Sequence, residues 1–237
     1  MKSRGILALG LLFFLSVAAS GQIKDIIESL GLGDKAGLSN DKIIAGLKEA
    51  LQVGTNNTVK STGRVDGYFR NEAIKILMPE KLRLVEKGMR VAGFGQKADE
   101  LVLGMNRAAE KAAPLAKEIF IKAILEMSFE DARKILTGGD TAATDYFKAK
   151  TSGRLAAAFA PIIDKSMNEV GVVRQYDQFM GKARQIPFLK TQSLDIRQYV
   201  VTKALDGLFL VLSREERNIR KNPAARVTAL LKEVFGR

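Results

Sequence analysis

The chain has 237 residues, a formal charge of +12, no Cys, no His and no Trp. These absences exclude disulfides, thiolate and imidazole catalysis, and the usual ligand sets of zinc, copper and haem, so no cofactor or metal is expected. The length is enough to bury a sizeable core, and the basic balance calls for an anionic partner or a strongly solvated surface.

Met1-Lys2-Ser3-Arg4 is short and basic, Gly5 to Val17 is almost wholly apolar, and Ala18-Ala19-Ser20-Gly21 supplies small residues. That order is a secretory signal peptide over residues 1–20. The apolar run is short of the roughly 20 residues of a bilayer span, so cleavage after Ala19 or Ser20 is expected rather than retention as an anchor. No transmembrane span is expected after the leader is cleaved. Lys2 and Arg4 leave with it, and the remaining chain carries a formal +10. A periplasmic or secreted location turns the basic balance away from nucleic acid. It points to anionic lipid, lipopolysaccharide or an acidic envelope protein.

Residues 21–38 read as a short helix and turn, and residues 39–237 as a single all-α domain. Glu28-Ser29 has the form of the catalytic pair of helical lytic transglycosylases, but without companion motifs it reads as a surface position. Ser39-Asn40-Asp41-Lys42 has the Ser-x-x-Lys spacing of penicillin-binding enzymes. Their Lys-Thr-Gly and Ser-Asp-Asn partners are missing, so Ser39 reads as a helix cap. Ile43, Ile44, Leu47, Ala50 and Leu51 have helical spacing, and this helix is expected to fade near Gly54 or Asn56-Asn57.

Residues 61–79 are the least regular, with turn signals at Gly63, Asp66 and Gly67. One short extended segment fits near residues 73–78, and Pro79 suits the first turn of a helix running to Val91, with Gly93 and Gly95 as its stop. From Gln96 to Met127 a stripe of Leu101, Met105, Ala108, Ala112, Leu115 and Ile119 forms a coiled-coil-like seam. Pro114 kinks this helix or splits it in two. Ser128 with Asp131 is a capping box. Gly138-Gly139 turns the chain, Asp140 is positioned to cap the next helix, and Gly153 is a point where that helix can break. Gly171 ends it. Further helices are expected from Val172 to Ile186, stopped by Pro187, from the Asp195 cap to Arg220, and from the Asn222-Pro223 start through Phe235.

Four blocks occur in order: Asn106 to Pro114, Ile135 to Thr144, Tyr199 to Phe209, and Asn222-Pro223-Ala224-Ala225-Arg226 before Leu230 to Gly236. Together they resemble a bacterial family of exported proteins, domain-of-unknown-function family 4197, over roughly Ser39 to Gly236. Leu77 departs from the pattern, since the family often has a second proline just before Pro79. The resemblance implies an envelope protein and carries no catalytic residues across.

Three clusters are candidate sites. Arg214, Arg217, Arg220 and Lys221 fall along one helix and form a candidate anion-facing stripe. Asn106, Arg107, Glu110 and Lys111 flank the alanine seam as a polar cluster. Gly138, Gly139, Asp140, Thr141 and Thr144 offer a helix N-terminus to an anion, although Asp140 would compete for the same donors. The composition speaks against an enzyme. The expected function is binding of an anionic envelope component. A carrier for a small apolar ligand or lipid is the alternative, and a wall-directed hydrolase follows it. No sequence feature sets an oligomeric state.

Overall fold

The computed structural model describes residues 40–169, 171–183 and 195–225. Within them the fold is all-α, a multi-helix bundle without a strand. The leader, the Ser39 cap, the Pro187 boundary and the helix expected over Val227–Phe235 lie outside the described residues. The helices are α1 (Asn40–Thr62), α2 (Arg83–Val91), α3 (Gly95–Ala112), α4 (Ala116–Leu125), α5 (Phe129–Thr137), α6 (Ala142–Glu169), α7 (Val172–Ala183) and α8 (Ile196–Lys221). Turns of 3₁₀ helix occur at Glu80–Leu82, Ala113–Leu115 and Pro223–Ala225.

The long helices α6 and α8 pack along each other. α3 and α4 lie against α6, α1 against α8 and α4, and α2 and α7 against α3. Phe120 of α4, Phe147 of α6 and Phe209 of α8 meet at the centre, with ring centroids 5.0 and 6.1 Å from that of Phe120. Tilted and edge-on aromatic contacts of this kind add to the area buried.

α1 does not fade at Gly54 or Asn56 but continues to Thr62. A Cβ at Gly54 would lie 3.5 Å from Ile219 Cδ1, so α8 packs directly against this point. Thr55, Thr58 and Val59 are buried beyond it. Tertiary packing outweighs a helix propensity penalty of about 1 kcal/mol for the glycine. Gly153 likewise leaves α6 unbroken, because Phe147, Leu155 and Phe159 anchor both sides of it.

The alanine seam holds only as far as Pro114. Leu101, Met105, Ala108 and Ala112 are fully buried, whereas Leu115 is exposed and Ile119 only half-buried. The 3₁₀ turn at Ala113–Leu115 winds at about three residues per turn, which rotates the following helix relative to an uninterrupted α pattern. The core face accordingly moves to Ala116, Phe120, Ala123 and Ile124. The proline thus splits the helix in two and changes its register.

Pro79 is not the first helical residue but the position before the 3₁₀ turn Glu80–Leu82. α2 ends in a Schellman motif: Phe94 N–H donates to Met89 O (2.8 Å), and Gly93 N–H to Arg90 O (3.1 Å). Gly93 has φ +85°, the left-handed geometry that this ending requires. Ser128 and Asp131 form the capping box of α5, and Asp195 caps α8 by accepting from the Arg197 and Gln198 amides.

Two tests follow from these local features. A Cβ at Gly153 meets nothing within 4 Å, so Gly153→Ala should raise unfolding stability by about 0.5–1 kcal/mol in urea titration. The bonds from the Ser128 hydroxyl and then its amide hold the Asp131 carboxyl below its ordinary value of 3.8. That contribution is present above this value and is lost as pH falls through the depressed one. In Ser128→Ala the Asp131 titration, followed by carboxyl NMR, should move back up toward 3.8.

Candidate functional site

Residues 63–79 cross the bundle with little regular backbone pairing of their own, so their buried polar groups need partners from elsewhere. α3 supplies them. Glu110, itself buried, accepts through Oε1 from the amides of Tyr68 (3.0 Å) and Phe69 (3.1 Å). Its Oε2 takes Arg107 Nη1 at 2.6 Å. Arg107 Nη2 reaches Asp66 Oδ1 at 2.7 Å, and Asp66 sits at φ +65°. The bond to Glu110 is the largest cause raising the Arg107 pKa. Phe69 lies under Lys75 and Arg107, 4.7 and 5.7 Å from its ring centroid.

One turn earlier, Asn106 Oδ1 accepts from Ile76 N–H (2.8 Å), while its Nδ2 donates to Ile76 O (2.8 Å) and Val102 O (2.7 Å). One side-chain amide therefore satisfies both main-chain groups of Ile76, as a neighbouring strand would. This is how the segment near 73–78 stays irregular: residues 72–74 form a turn, and no strand pairs with 75–79. Lys111 points away to Glu169 (2.9 Å) on the surface and takes no part in this clamp.

α8 closes the other side. The fully buried Tyr68 hydroxyl donates to Ala204 O at 2.7 Å. Burial, and then the nearby Glu110 charge, pushes this phenol far above the ordinary tyrosine range. Gly207 makes the approach feasible, since a Cβ there would stand 2.7 Å from Tyr68 Cε1 and 3.0 Å from Ile74 Cβ. Tyr199 OH donates to Leu77 O (2.9 Å). Between the 73–83 segment and α8 lies an open groove of about 550 Å³, lined by Leu77, Met78, Lys81, Arg83, Tyr199 and Lys203 among others. Arg83 pairs with Glu80 and Lys203 with Asp206 (both 3.3 Å).

A second clamp joins the two remaining sequence clusters. Asp140 does not cap α6. The Glu216 carboxylate of α8 does so from outside, accepting from Ala143 N (2.9 Å), Thr144 N (2.8 Å) and Thr144 Oγ1 (2.8 Å). Arg220 bonds the same carboxylate at 2.9 Å and donates to Ile135 O near the end of α5 (2.9 Å). An acid thus meets the positive end of one helix and a cation the negative end of the preceding one. Asp140 pairs with Lys221, the first cause of its lowered pKa, with Arg220 and Arg217 contributing at longer range. Thr141 Oγ1 faces Asp145 at 3.4 Å, and Gly138 caps the end of α5.

The stripe is therefore divided. Arg220 is engaged with the buried Glu216 and Lys221 with the exposed Asp140, Arg217 donates to Ser213 Oγ (3.2 Å), and Arg214 is exposed. The anion position at the Gly138–Thr144 turn is filled by Glu216. Glu216 is not among the residues singled out from the sequence, although its spacing of four from Arg220 is a usable signal. Tyr68 gave no comparable signal. Among the described residues, no group of three or more Asp or Glu is placed to hold a metal ion. Among the described residues, a partly open apolar pocket between α1, α6 and α8, lined by Leu47, Leu51, Phe147 and Leu212, measures about 30 Å³. That is room for about one water rather than an apolar ligand.

A family model described as "Protein of unknown function (DUF4197)" matches residues 37–236. The chain belongs to this family. No curated protein and no solved structure matches it. In this DUF4197 chain, blocks that carry the sequence resemblance supply one side of each clamp. Asn106, Arg107 and Glu110 hold the irregular segment, Ala204 and Gly207 receive Tyr68, and Ile135, Ala143 and Thr144 meet Arg220 and Glu216.

Removing Glu216 leaves two buried amides and the Thr144 hydroxyl without this acceptor and takes one carboxylate from Arg220. Glu216→Ala should therefore cost about 3 kcal/mol of stability, well beyond Glu215→Ala, whose carboxylate accepts from exposed Asn57. Gly207→Ala should lose about 2 kcal/mol where a mid-helix glycine ordinarily gains, because the new methyl overlaps Tyr68 and Ile74. Chemical denaturation of the three variants side by side checks both statements.

Proposed function

We propose that the protein is an exported interaction module of the bacterial envelope that meets an anionic partner through a basic surface. One observation carries this reading: the charges that the core takes in are acids, while several cations on the surface are left without an acidic partner. Among the described residues, the buried charged side chains are the glutamates Glu110 and Glu216. Lys60, Arg64, Lys81, Lys87, Lys148 and Arg214 are exposed, with no carboxylate of the described residues at ion-pair distance. Together with the formal +10 that remains once residues 1–20 are removed, this gives a surface potential suited to capturing anions. The basic start and apolar run of residues 1–20 support the envelope as the place of encounter.

Both clamps serve this role as scaffolding rather than as chemistry. Every oxygen of Glu110 and Glu216 is occupied by protein donors, which leaves neither carboxylate free to act on a substrate.

The test is retention of the full chain on three anionic supports: phosphatidylglycerol vesicles, lipopolysaccharide micelles and an acidic protein panel. Retention on at least one at about 50 mM salt, released progressively as salt rises, is the expected result. Absence of salt-sensitive retention on all three overturns the proposal.

A further inference from the structure

α2 presents an unusual combination. Its inner face is filled: Leu82, Val85 and Met89 are at most 1 % exposed. Yet Leu84 and Val91 stand 70 % and 91 % exposed. They are seven residues apart, about two helical turns, and so lie one above the other on the same outward line. They are not core residues in the wrong register, because the core positions of this helix are taken. The helix cannot rotate to hide them. The 3₁₀ turn Glu80–Leu82 fixes its start and the Schellman motif at Gly93 fixes its end. Cations flank the line: Lys87 lies between the two apolar residues, and Lys81 precedes them at the mouth of the groove that Leu77, 50 % exposed, also lines.

We infer that the Glu80–Val91 element is a docking edge for an anionic lipid bilayer, with Leu84 and Val91 entering the acyl boundary while Lys81 and Lys87 meet lipid phosphates. The inference rests on the anionic-partner reading above and names the partner and the contact. Charge complementarity selects the occupant. Arg83 and Arg90 are already paired with Glu80 and with Glu86 and Asp99, which leaves Lys81 and Lys87 as the cations available to phosphate. Leu and Val are under-represented among the anchors of protein interfaces, which favour Trp, Tyr and Arg. In a bilayer they need no directional partner, and a short rigid helix with flanking lysines is a common interfacial arrangement. Docking is peripheral: among the described residues no helix is long and apolar enough to cross a membrane.

The chain has no Trp, so one introduced indole reports without background. Full-length Leu84→Trp should shift its emission to the blue with vesicles of phosphatidylglycerol and phosphatidylethanolamine and stay unshifted with phosphatidylcholine alone. Lys148→Trp, on the exposed face of α6, should stay unshifted with both. In co-sedimentation, Leu84→Ser/Val91→Ser should bind the anionic vesicles at least about tenfold more weakly than the unaltered chain. Lys81→Gln/Lys87→Gln should lose most of the salt-sensitive part. Thermal melting followed by circular dichroism should be unchanged in both, because all four positions are exposed. Unchanged vesicle binding in the Leu84/Val91 variant overturns the edge while leaving the anionic-partner reading in place. Retention of the unaltered chain on lipopolysaccharide or acidic protein but not on phosphatidylglycerol overturns the lipid assignment alone. Failure on all three supports removes both. Capture of an acidic protein that requires Leu84 and Val91, without vesicle binding, assigns the edge to a protein and likewise overturns the inference.

Discussion

A carboxylate taken out of water must be given donors, and this bundle uses that demand twice. Glu110 and Glu216 lie on different helices and do different jobs, yet each is bound by two backbone amides and one arginine. The amides come from parts of the chain that cannot satisfy them internally: the turn at Tyr68-Phe69 in one case and the start of α6 in the other. Taking either ion out of water costs several kcal/mol, so neither arrangement is a simple source of stability. What they impose is position. The irregular segment can seat on α3 only where Glu110 finds both amides, and α6 can begin only where its first turn meets α8.

Alanine explains why these positions can be held closely. Ala98, Ala108, Ala109, Ala112, Ala113 and Ala116 are all fully buried along α3 and the start of α4. Small side chains let neighbouring backbones approach, and Gly207 does the same for Tyr68 on α8. Elsewhere the core is filled by aromatic rings, as in the cluster of Phe120, Phe147 and Phe209. Close approach in one region and aromatic filling in another leave little internal volume among the described residues.

Much of the architecture was legible from local rules. The Ser128–Asp131 box, the Asp195 cap, the stop at Gly171 and the break at Pro114 all act within a few residues and are read from spacing. Errors arose where distant contacts decide. Gly54 and Gly153 look like helix breaks, but burial on either side outweighs the loss of propensity. A straight α pattern carries the seam on to Leu115 and Ile119, but the turn at the proline changes the winding. At the sites, the Asn106-Arg107-Glu110 cluster was visible as a polar group beside a buried stripe. Its partners, 30 to 42 residues away in sequence, were not. Asp140 offered a local cap, and the competitor that takes the donors, Glu216, is more than 70 residues distant.

The irregular segment has a consequence for how the molecule breathes. The amides of Tyr68, Phe69 and Ile76 belong to no helix, yet each ends on a buried side-chain acceptor of α3. In hydrogen exchange they would form slow islands inside a stretch that otherwise looks like loop, opening only when α3 and the segment part. Their exchange rates would therefore report on the separation of two packed elements rather than on the fraying of any single helix.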